Sequence, residues 1–275
     1  MKEPIHVISL GAGVQSSTMA LMAAKGEITP MPVGAIFSDT GGEPQSVYDF
    51  LEWLEKELPF PVHKVMEKEG LTKNIERSIT MGTRIAQPPF FTETVGDKPK
   101  GQLRRVCTSD FKIKPIERKM RELVGLKKGQ RAGSETRAVS WIGISLDEIQ
   151  RMRDNSVKWI EHRWPLVDLR MKRHDCLRWM EKNGYPKPPR SACTYCPYHS
   201  DHEWRRMKNN DPQSWTEAVK MDKLIRNGVR GTKEKLFLHA SLVPLDEVDF
   251  STDVDKGQGL LWNDMNVECT GLCGN

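Results

Sequence analysis

Long apolar runs are missing from this sequence, and its net charge of +5 over 275 residues is small. The missing runs exclude a helix that spans a bilayer, which needs about 20 consecutive apolar residues. We therefore expect a protein without a membrane partner. An apolar strand is predicted from residue 5 onward, directly after residues 1–4, so we expect no secretory signal and a cytoplasmic location.

Cysteine is also scarce, with six residues in the whole chain. A disulfide scaffold is typical of short secreted chains and is not expected here. Two of the cysteines form a Cys193-x-x-Cys196 pair, and this spacing favours metal or redox chemistry. The length of the chain allows one large α/β domain, or one domain with an appendage.

A turn rich in glycine and hydroxyl side chains follows each of the first two predicted strands. Residues 9–17 read Ser-Leu-Gly-Ala-Gly-Val-Gln-Ser-Ser, and residues 38–43 read Ser-Asp-Thr-Gly-Gly-Glu. Between a buried strand and a helix, such a turn exposes backbone N–H groups at the positive end of the helix dipole, where they bind an anion. In open parallel sheets ligands lie at the carboxyl ends of strands, so the two turns together predict one phosphate site.

The first turn differs from two widespread phosphate loops. It has no Gly-Lys-Ser/Thr as in the P-loop, and Ser16 stands where a dinucleotide fingerprint would carry its third glycine. The alternative is an ordinary turn, in which glycine supplies backbone freedom and serine caps the helix.

Apolar periodicity predicts an α/β fold with a doubly wound parallel sheet, because short apolar strands alternate with helical patterns. Strands are predicted at Ile5–Leu10, Val33–Ser38, Val62–Met66 and Val139–Ile144, and helices at 47–58 and after Pro115. Residues 80–105 are predicted to form a long loop over the site. No strand is predicted after Asp168, so we divide the chain into a nucleotide-binding domain, 1–168, and a cysteine-bearing C-terminal extension, 169–275, packed on the same domain.

Five ordered motifs resemble the PP-loop (adenine nucleotide alpha-hydrolase-like) superfamily and, within it, the family of phosphoadenosine-phosphosulfate (PAPS) and adenylyl-sulfate reductases. The motifs are Gly13-Val14-Gln15-Ser16-Ser17, Asp39-Thr40-Gly41 with Glu43, Cys107-Thr108 with Lys112-Ile113-Lys114-Pro115, Gly143-Ile144 with Glu148 and Arg151, and Trp164-Pro165-Leu166-Val167-Asp168. Two positions depart from the family pattern. Gln15 replaces the aspartate of the ATP-cleaving enzymes, and Ser145 replaces an arginine.

The resemblance implies an adenine nucleotide as ligand, namely PAPS, adenylyl sulfate or ATP, the last with magnesium as an open addition. The residues expected to bind this nucleotide are Ser9, Gly11, Gly13, Gln15, Ser16, Ser17, Asp39, Thr40 and Gly143. The residues of the first turn would hold phosphate or sulfate, and Asp39 and Thr40 would hold the ribose or adenine side.

Four cysteines are predicted to form a metal site. They are Cys107, Cys176, Cys193 and Cys196. Thiolates suit zinc or an iron–sulfur cluster, and the resemblance favours a 4Fe–4S cluster. For Cys176 the alternative is a small buried residue on a helix, which would leave three protein ligands and one open iron. His199 and His202 leave a mixed Cys/His zinc site as a further alternative.

The C-terminal tail carries the other two cysteines, Cys269 and Cys273. Glu268-Cys269 resembles the start of the C-terminal segment that holds the nucleophilic cysteine of the sulfonucleotide reductases. The resemblance implies that Cys269 is the catalytic thiol, with Cys273 as its resolving partner or a spare ligand. A mobile tail could carry such a thiol from the site to a reductant.

Three functions are consistent with these patterns. The first is a PAPS or adenylyl-sulfate reductase-like enzyme that performs thiol- or cluster-assisted sulfur chemistry, with a thioredoxin-like reductant as partner. The second is an ATP-dependent enzyme that inserts sulfur into nucleic acid, favoured by basic clusters such as 127–131. The third is a non-catalytic nucleotide-binding module with a structural zinc. A homodimer remains open in each case.

Overall fold

The computed structural model of the protein describes residues 3–85, 87–93, 101–232 and 234–251. The strands are β1 (Ile5–Leu10), β2 (Gly34–Asp39), β3 (Val62–Met66), β4 (Phe91–Thr92), β5 (Gly101–Gln102), β6 (Ala138–Ile142), β7 (Ile160–Arg163) and β8 (Leu236–Phe237). The helices are α1 (Val14–Ala24), α2 (Gln45–Glu57), α3 (Gly70–Met81), α4 (Lys114–Leu123), α5 (Pro165–Asp168), α6 (Arg173–Lys182), α7 (Asp201–Asn210) and α8 (Pro212–Ile225). A π-helical turn, Ser109–Ile113, precedes α4, and 3₁₀ turns span Leu146–Arg151 and Leu245–Glu247.

The described chain divides into two compact units. The first comprises residues up to 68 and 108–191, and the second comprises 69–107 and 192–251. Each unit is therefore built from two separate stretches of sequence. The predicted division after residue 168 remains a prediction. Within the described residues, no helix is long and apolar enough to cross a membrane.

The first unit is built on a five-stranded parallel sheet in the order β3-β2-β1-β6-β7. From β1 the chain runs outward through β2 and β3, and then returns to the other side of β1 with β6. In the register of the sheet, Ser9 of β1 lies beside Ile36 of β2 and Ile142 of β6. The point where the strand order reverses, between β1 and β6, is where open α/β sheets bind their ligands.

Helices cover both faces of this sheet, because side chains alternate between the faces along each strand. Ile8 and Phe37 belong to a core that includes residues of α1, α2 and α6. Val7 and Ile36 belong to a second core on the opposite face, with Met120 of α4. The predicted α/β fold with a doubly wound parallel sheet is therefore confirmed.

The second unit contains a small antiparallel sheet in the order β5-β4-β8, together with α3, α7 and α8. The carboxylate of Asp222, on α8, is fully buried and accepts hydrogen bonds from the backbone N–H groups of Leu238 and Leu245, at 2.9 and 3.0 Å. It also pairs with Arg226, whose guanidinium lies 3.8 Å from the centre of the Phe237 ring. These contacts attach β8 and the segment after it to α8.

Two predictions about secondary structure were wrong. Residues 80–105 are not a continuous loop, because β4 and β5 lie within them. Strands also continue beyond Asp168, since β8 pairs with β4. These strands are two residues long, which is too short to produce an alternating apolar pattern. The edge strand β7 was not predicted either, because its sequence Ile-Glu-His-Arg contains one apolar residue.

Candidate functional site

The glycine loop between β1 and α1 lies at the carboxyl edge of the sheet in the first unit. Ala12 adopts a left-handed conformation with φ of 56°, which turns the chain sharply before the helix. Helix α1 then begins at Val14, with Gly13 as its N-cap residue, and no side-chain hydrogen bond of the described residues caps this start. Amides at an uncapped helix start can bind an anion, and the helix dipole favours negative charge there.

Ser16 holds the loop in place from within the first turn of α1. Its hydroxyl oxygen accepts a hydrogen bond from the Gly11 N–H at 3.1 Å and lies 3.5 Å from the Gly13 carbonyl oxygen. Ser17 is fully buried, and its Oγ has no hydrogen-bond partner among the described residues. Ser9 lies within β1 rather than in the loop. The predicted residues of this turn are thus close in space, with Ser16 positioned to shape the loop.

Gly143, just after β6, packs directly against the start of α1. A Cβ atom at this position would lie 2.8 Å from the backbone nitrogen of Ser16 and 2.9 Å from its Cα. Real Cβ atoms do not approach backbone atoms this closely, so the position requires glycine. The segment after β6 therefore forms one wall of the glycine loop.

Gln15 joins the same two segments through its side chain, which is 1% exposed. Its Nε2 donates to Ser145 Oγ at 3.3 Å and to Glu148 Oε2 at 3.0 Å, and Glu148 pairs with Arg151. The motif predicts that Gln15 binds the ligand, and in the structure its amide N–H₂ group donates to protein groups. The contact spans 130 residues along the chain and leaves no local sequence signal.

The turn after β2 carries a second set of polar groups. The Asp39 carboxylate accepts hydrogen bonds from the Gly41 N–H at 2.7 Å and from the Tyr48 hydroxyl at 2.8 Å. Gly41 has φ of 70°, which favours glycine at this turn. Thr40 is buried. The structure therefore brings Asp39 and Thr40 to the same edge of the sheet as the glycine loop.

Glu43, four residues further on, is held by side chains that sequence reasoning did not assign to the site. Its side chain is 1% exposed, and Lys112 lies 3.5 Å from its Oε1. Ser191 Oγ donates to Oε2 at 3.4 Å. Lys112 lies within one of the five sequence motifs, whereas Ser191 lies in none of them.

The four cysteines of the predicted metal site are divided between the two units. Cys176 lies on α6 in the core of the first unit and is fully buried. Burial, together with the nearby carboxylates of Asp147 and Asp175, raises the pKa of its thiol to about 12. Such a thiol stays protonated at neutral pH as long as no metal binds it. Cys176 thus packs in the core, and its role as a metal ligand stays a prediction.

Cys107, Cys193 and Cys196 all belong to the second unit. The Cys196 N–H donates to the Cys193 carbonyl oxygen at 2.9 Å, which closes a tight turn between the two thiols. His199 lies against the same turn, with Nε2 3.0 Å from the Cys193 carbonyl oxygen. Thr194, inside the turn, has a buried Oγ1 without a hydrogen-bond partner in the described part of the chain.

This turn fits the way a Cys-x-x-Cys pair presents two thiols to one metal ion. Over the residues that the structure describes, no three or more His, Cys, Asp or Glu side chains are grouped to hold a metal. The predicted four-cysteine site therefore stays a prediction. Cys269 and Cys273 lie outside the described residues.

The glycine loop, the turn after β2 and the Gly143 segment thus lie at one edge of a parallel sheet in an α/β fold. No protein-family model matches the chain, and no curated protein does either.

Two solved structures are similar to it in fold. One is phosphoadenylyl-sulfate (PAPS) reductase from Candida auris in a phosphate complex, with 16% identity, a TM-score of 0.44, and coverage of 68% of this chain and 76% of that chain. The other is the U34-tRNA thiolase NcsA from Methanococcus maripaludis with its [4Fe-4S] cluster, with 15% identity, a TM-score of 0.38, and coverage of 96% of this chain and 84% of that chain.

Proposed function

We propose that the protein binds an adenine nucleotide at the carboxyl edge of the first unit's sheet and acts as a PAPS or adenylyl-sulfate reductase-like enzyme. The observation that carries this proposal is the approach of Gly143 to the backbone of Ser16. The segments that follow β1 and β6, where the strand order of the sheet reverses, are held together around the uncapped start of α1. Such a place suits a phosphate or sulfate group.

The residues around this edge have distinct roles in the proposal. The loop between β1 and α1 contributes the backbone N–H groups at the start of the helix to the anionic end of the nucleotide. Asp39 and Thr40 lie at the end of the neighbouring strand, where ribose or adenine would bind. Asp39 is oriented by Tyr48, because the hydroxyl of Tyr48 donates to its carboxylate. An oriented carboxylate can accept hydrogen bonds from ribose hydroxyl groups.

In the proposed reaction, the thiolate of Cys269 attacks the sulfur of the nucleotide's sulfate group. The bond between sulfur and the bridging phosphate oxygen breaks, and the nucleotide leaves with that electron pair. A second thiolate, from Cys273 or a thioredoxin-like reductant, then attacks Cys269 Sγ. Sulfite leaves with the electrons of the sulfur–sulfur bond, and the disulfide that forms is reduced by the thiol partner.

A metal group at the Cys193–Cys196 turn remains part of this proposal. The donors would be Cys193 and Cys196, with Cys107 of the same unit as the third thiolate. A 4Fe–4S cluster held there would supply electron-transfer or sulfur-binding chemistry, and zinc would supply structural stabilisation. The thiol-exchange steps use only the two tail cysteines and the external thiol.

A second candidate is ATP-dependent insertion of sulfur into a nucleic acid. It is favoured by exposed basic residues after α4, at Lys127, Lys128 and Arg131. Clustered exposed cations of this kind attract a phosphate backbone.

The deciding experiment is anaerobic purification followed by parallel assays with PAPS, adenylyl sulfate, and ATP plus tRNA. Release of sulfite from PAPS or adenylyl sulfate supports the reductase-like function. Sulfur incorporation into tRNA with ATP hydrolysis would establish the second candidate instead. Absence of both products, with nucleotide binding retained, would leave a non-catalytic module as the function and refute the enzyme proposal.

A further inference from the structure

Two carboxylates beside the turn after β2 receive their hydrogen bonds from the protein itself. Asp39 accepts from the Gly41 N–H and from the Tyr48 hydroxyl. Glu43 is buried and is contacted by Lys112, at 3.5 Å, and by Ser191. The negative charge of Glu43 is thus compensated by a cationic side chain.

A third carboxylate, Glu148, lies beside the glycine loop and is compensated in a similar way. Arg151 forms an ion pair with its Oε1, and the side chains of the two residues are 12% and 15% exposed. Gln15 directs its amide N–H₂ group at the other oxygen, Oε2, at 3.0 Å. Both oxygens of Glu148 therefore face donors that the chain supplies.

Magnesium that accompanies a nucleotide is usually bound by one or two carboxylates together with the phosphates. Such an ion needs carboxylate oxygens with uncompensated negative charge. At this edge, Arg151 and Lys112 neutralise the two glutamates, and Gln15 presents a neutral donor to Glu148 from the first turn of the helix. Asp39 has neutral donors only, but it lies at the strand end proposed for the ribose side and not for the phosphates. A cation placed beside Glu148 would have to displace the Gln15 amide and compete with Arg151.

From these contacts we infer that the site binds its nucleotide as a free anion, without magnesium, and that Gln15 is the residue that sets this specificity. The inference rests on the proposed nucleotide site and deepens it, because it names the ligand class. A sulfonucleotide or nucleoside phosphate without bound metal is preferred over a magnesium–ATP complex. The anion is stabilised by backbone N–H groups of the loop instead of by an ion.

The test is calorimetric titration of the full chain with adenylyl sulfate and with ATP, in EDTA and in magnesium chloride. We expect the same affinity for adenylyl sulfate in both buffers, and weaker binding of ATP when magnesium is present. Higher affinity for either nucleotide in magnesium would overturn the inference while leaving the nucleotide site intact. Absence of binding in both buffers would refute the nucleotide site itself, and the inference with it.

The variant Gln15→Glu tests the role of this side chain. It would place a second carboxylate beside Glu148, and like charges so close repel both each other and an anionic ligand. We expect affinity in EDTA to fall by about tenfold or more, where tenfold corresponds to ~1.4 kcal/mol, and magnesium to restore it.

A matched control is Gln213→Glu on α8, where the exposed Gln213 amide lies 3.5 Å from Glu217. It adds the same charge beside a carboxylate in the other unit and should leave both affinities unchanged. Equal affinities of Gln15→Glu in EDTA and in magnesium would refute the assignment to Gln15.

Discussion

The backbone nitrogen of Ser16 lies 2.8 Å from the position that a Cβ atom at Gly143 would occupy. This single relationship fixes the distance between the segment after β6 and the first turn of α1. Gly143 follows a central strand, and Ser16 belongs to a helix packed on that strand's sheet, so the two backbone segments are in close contact. The width of the proposed anion site is therefore set by backbone packing rather than by a flexible side chain.

The first prediction concerns Gly143→Ala. The added methyl group must push the two segments apart, which should cost roughly 1–3 kcal/mol of unfolding free energy, as overpacking does. Nucleotide affinity should fall as well, because the loop amides move. Chemical denaturation and calorimetric titration would measure the two effects.

Gly133→Ala is the control for this substitution. A Cβ atom there meets nothing within 4 Å in the described part of the chain. We expect its stability and nucleotide affinity to match those of the wild type. If Gly143→Ala behaved like Gly133→Ala in both measurements, the close packing of these segments would be refuted.

The second prediction concerns the buried thiol of Cys176 and its dependence on pH. Its pKa is about 12 in the folded chain, compared with a reference value of 9.0. Between these values the unfolded chain loses the proton and the folded chain keeps it, so the stabilising contribution is fully present below pH 9.0 and is lost as pH rises toward 12. The free energy of unfolding should therefore decrease with pH over this interval.

Cys176→Ala isolates this contribution. At neutral pH we expect the variant to be less stable by about 1 kcal/mol, since a small buried group is removed from the core. The difference from the wild type should shrink as pH rises above 9.0, because the wild type alone carries this thiol. Urea unfolding at neutral and alkaline pH measures both values. A difference that stayed constant across this range would contradict a raised pKa at Cys176.

The third prediction concerns which cysteines bind a metal, as measured by the metal content of single variants. Cys193→Ser should abolish bound iron or zinc and the associated absorbance of an anaerobic preparation, because a two-thiol turn loses one donor. Cys176→Ser should leave metal content unchanged while lowering stability. Elemental analysis and ultraviolet–visible spectra distinguish the outcomes. Loss of metal in Cys176→Ser without unfolding would restore Cys176 as a ligand.

The sheet could be predicted from sequence where a strand contains three or more apolar residues. β1 and β3 lie where their apolar runs placed them, and β2 differs by one residue at each end. Strand β7 could not be found, because an edge strand with one exposed face tolerates Glu161 and His162 and so lacks an apolar run.

The glycine-rich turns of the candidate site could be recognised in the sequence, but the side-chain contacts between its segments could not. Gly143 and Glu148 were found because they lie in motifs, whereas the partner of Glu148 on α1 depends on β6 lying next to β1. That adjacency is a property of strand order, and no local pattern around Gln15 encodes it. At Cys176 the residue type alone does not identify the role, because a cysteine is compatible with both a metal site and a packed helix. The metal content of Cys176→Ser decides between them.

The last prediction concerns Cys269, which lies outside the described residues. If its thiolate attacks the sulfate sulfur, Cys269→Ser should bind nucleotide with unchanged affinity and keep any metal absorbance, yet lose sulfite release. A serine hydroxyl is far less ionised at neutral pH than a thiol, so it cannot replace the nucleophile. Cys273→Ser is the matched control, and it should still form the covalent sulfur adduct in a single turnover, which intact-mass analysis would detect. Normal multiple turnover by Cys269→Ser on PAPS or adenylyl sulfate would show that sulfur chemistry in this protein does not use the tail thiol.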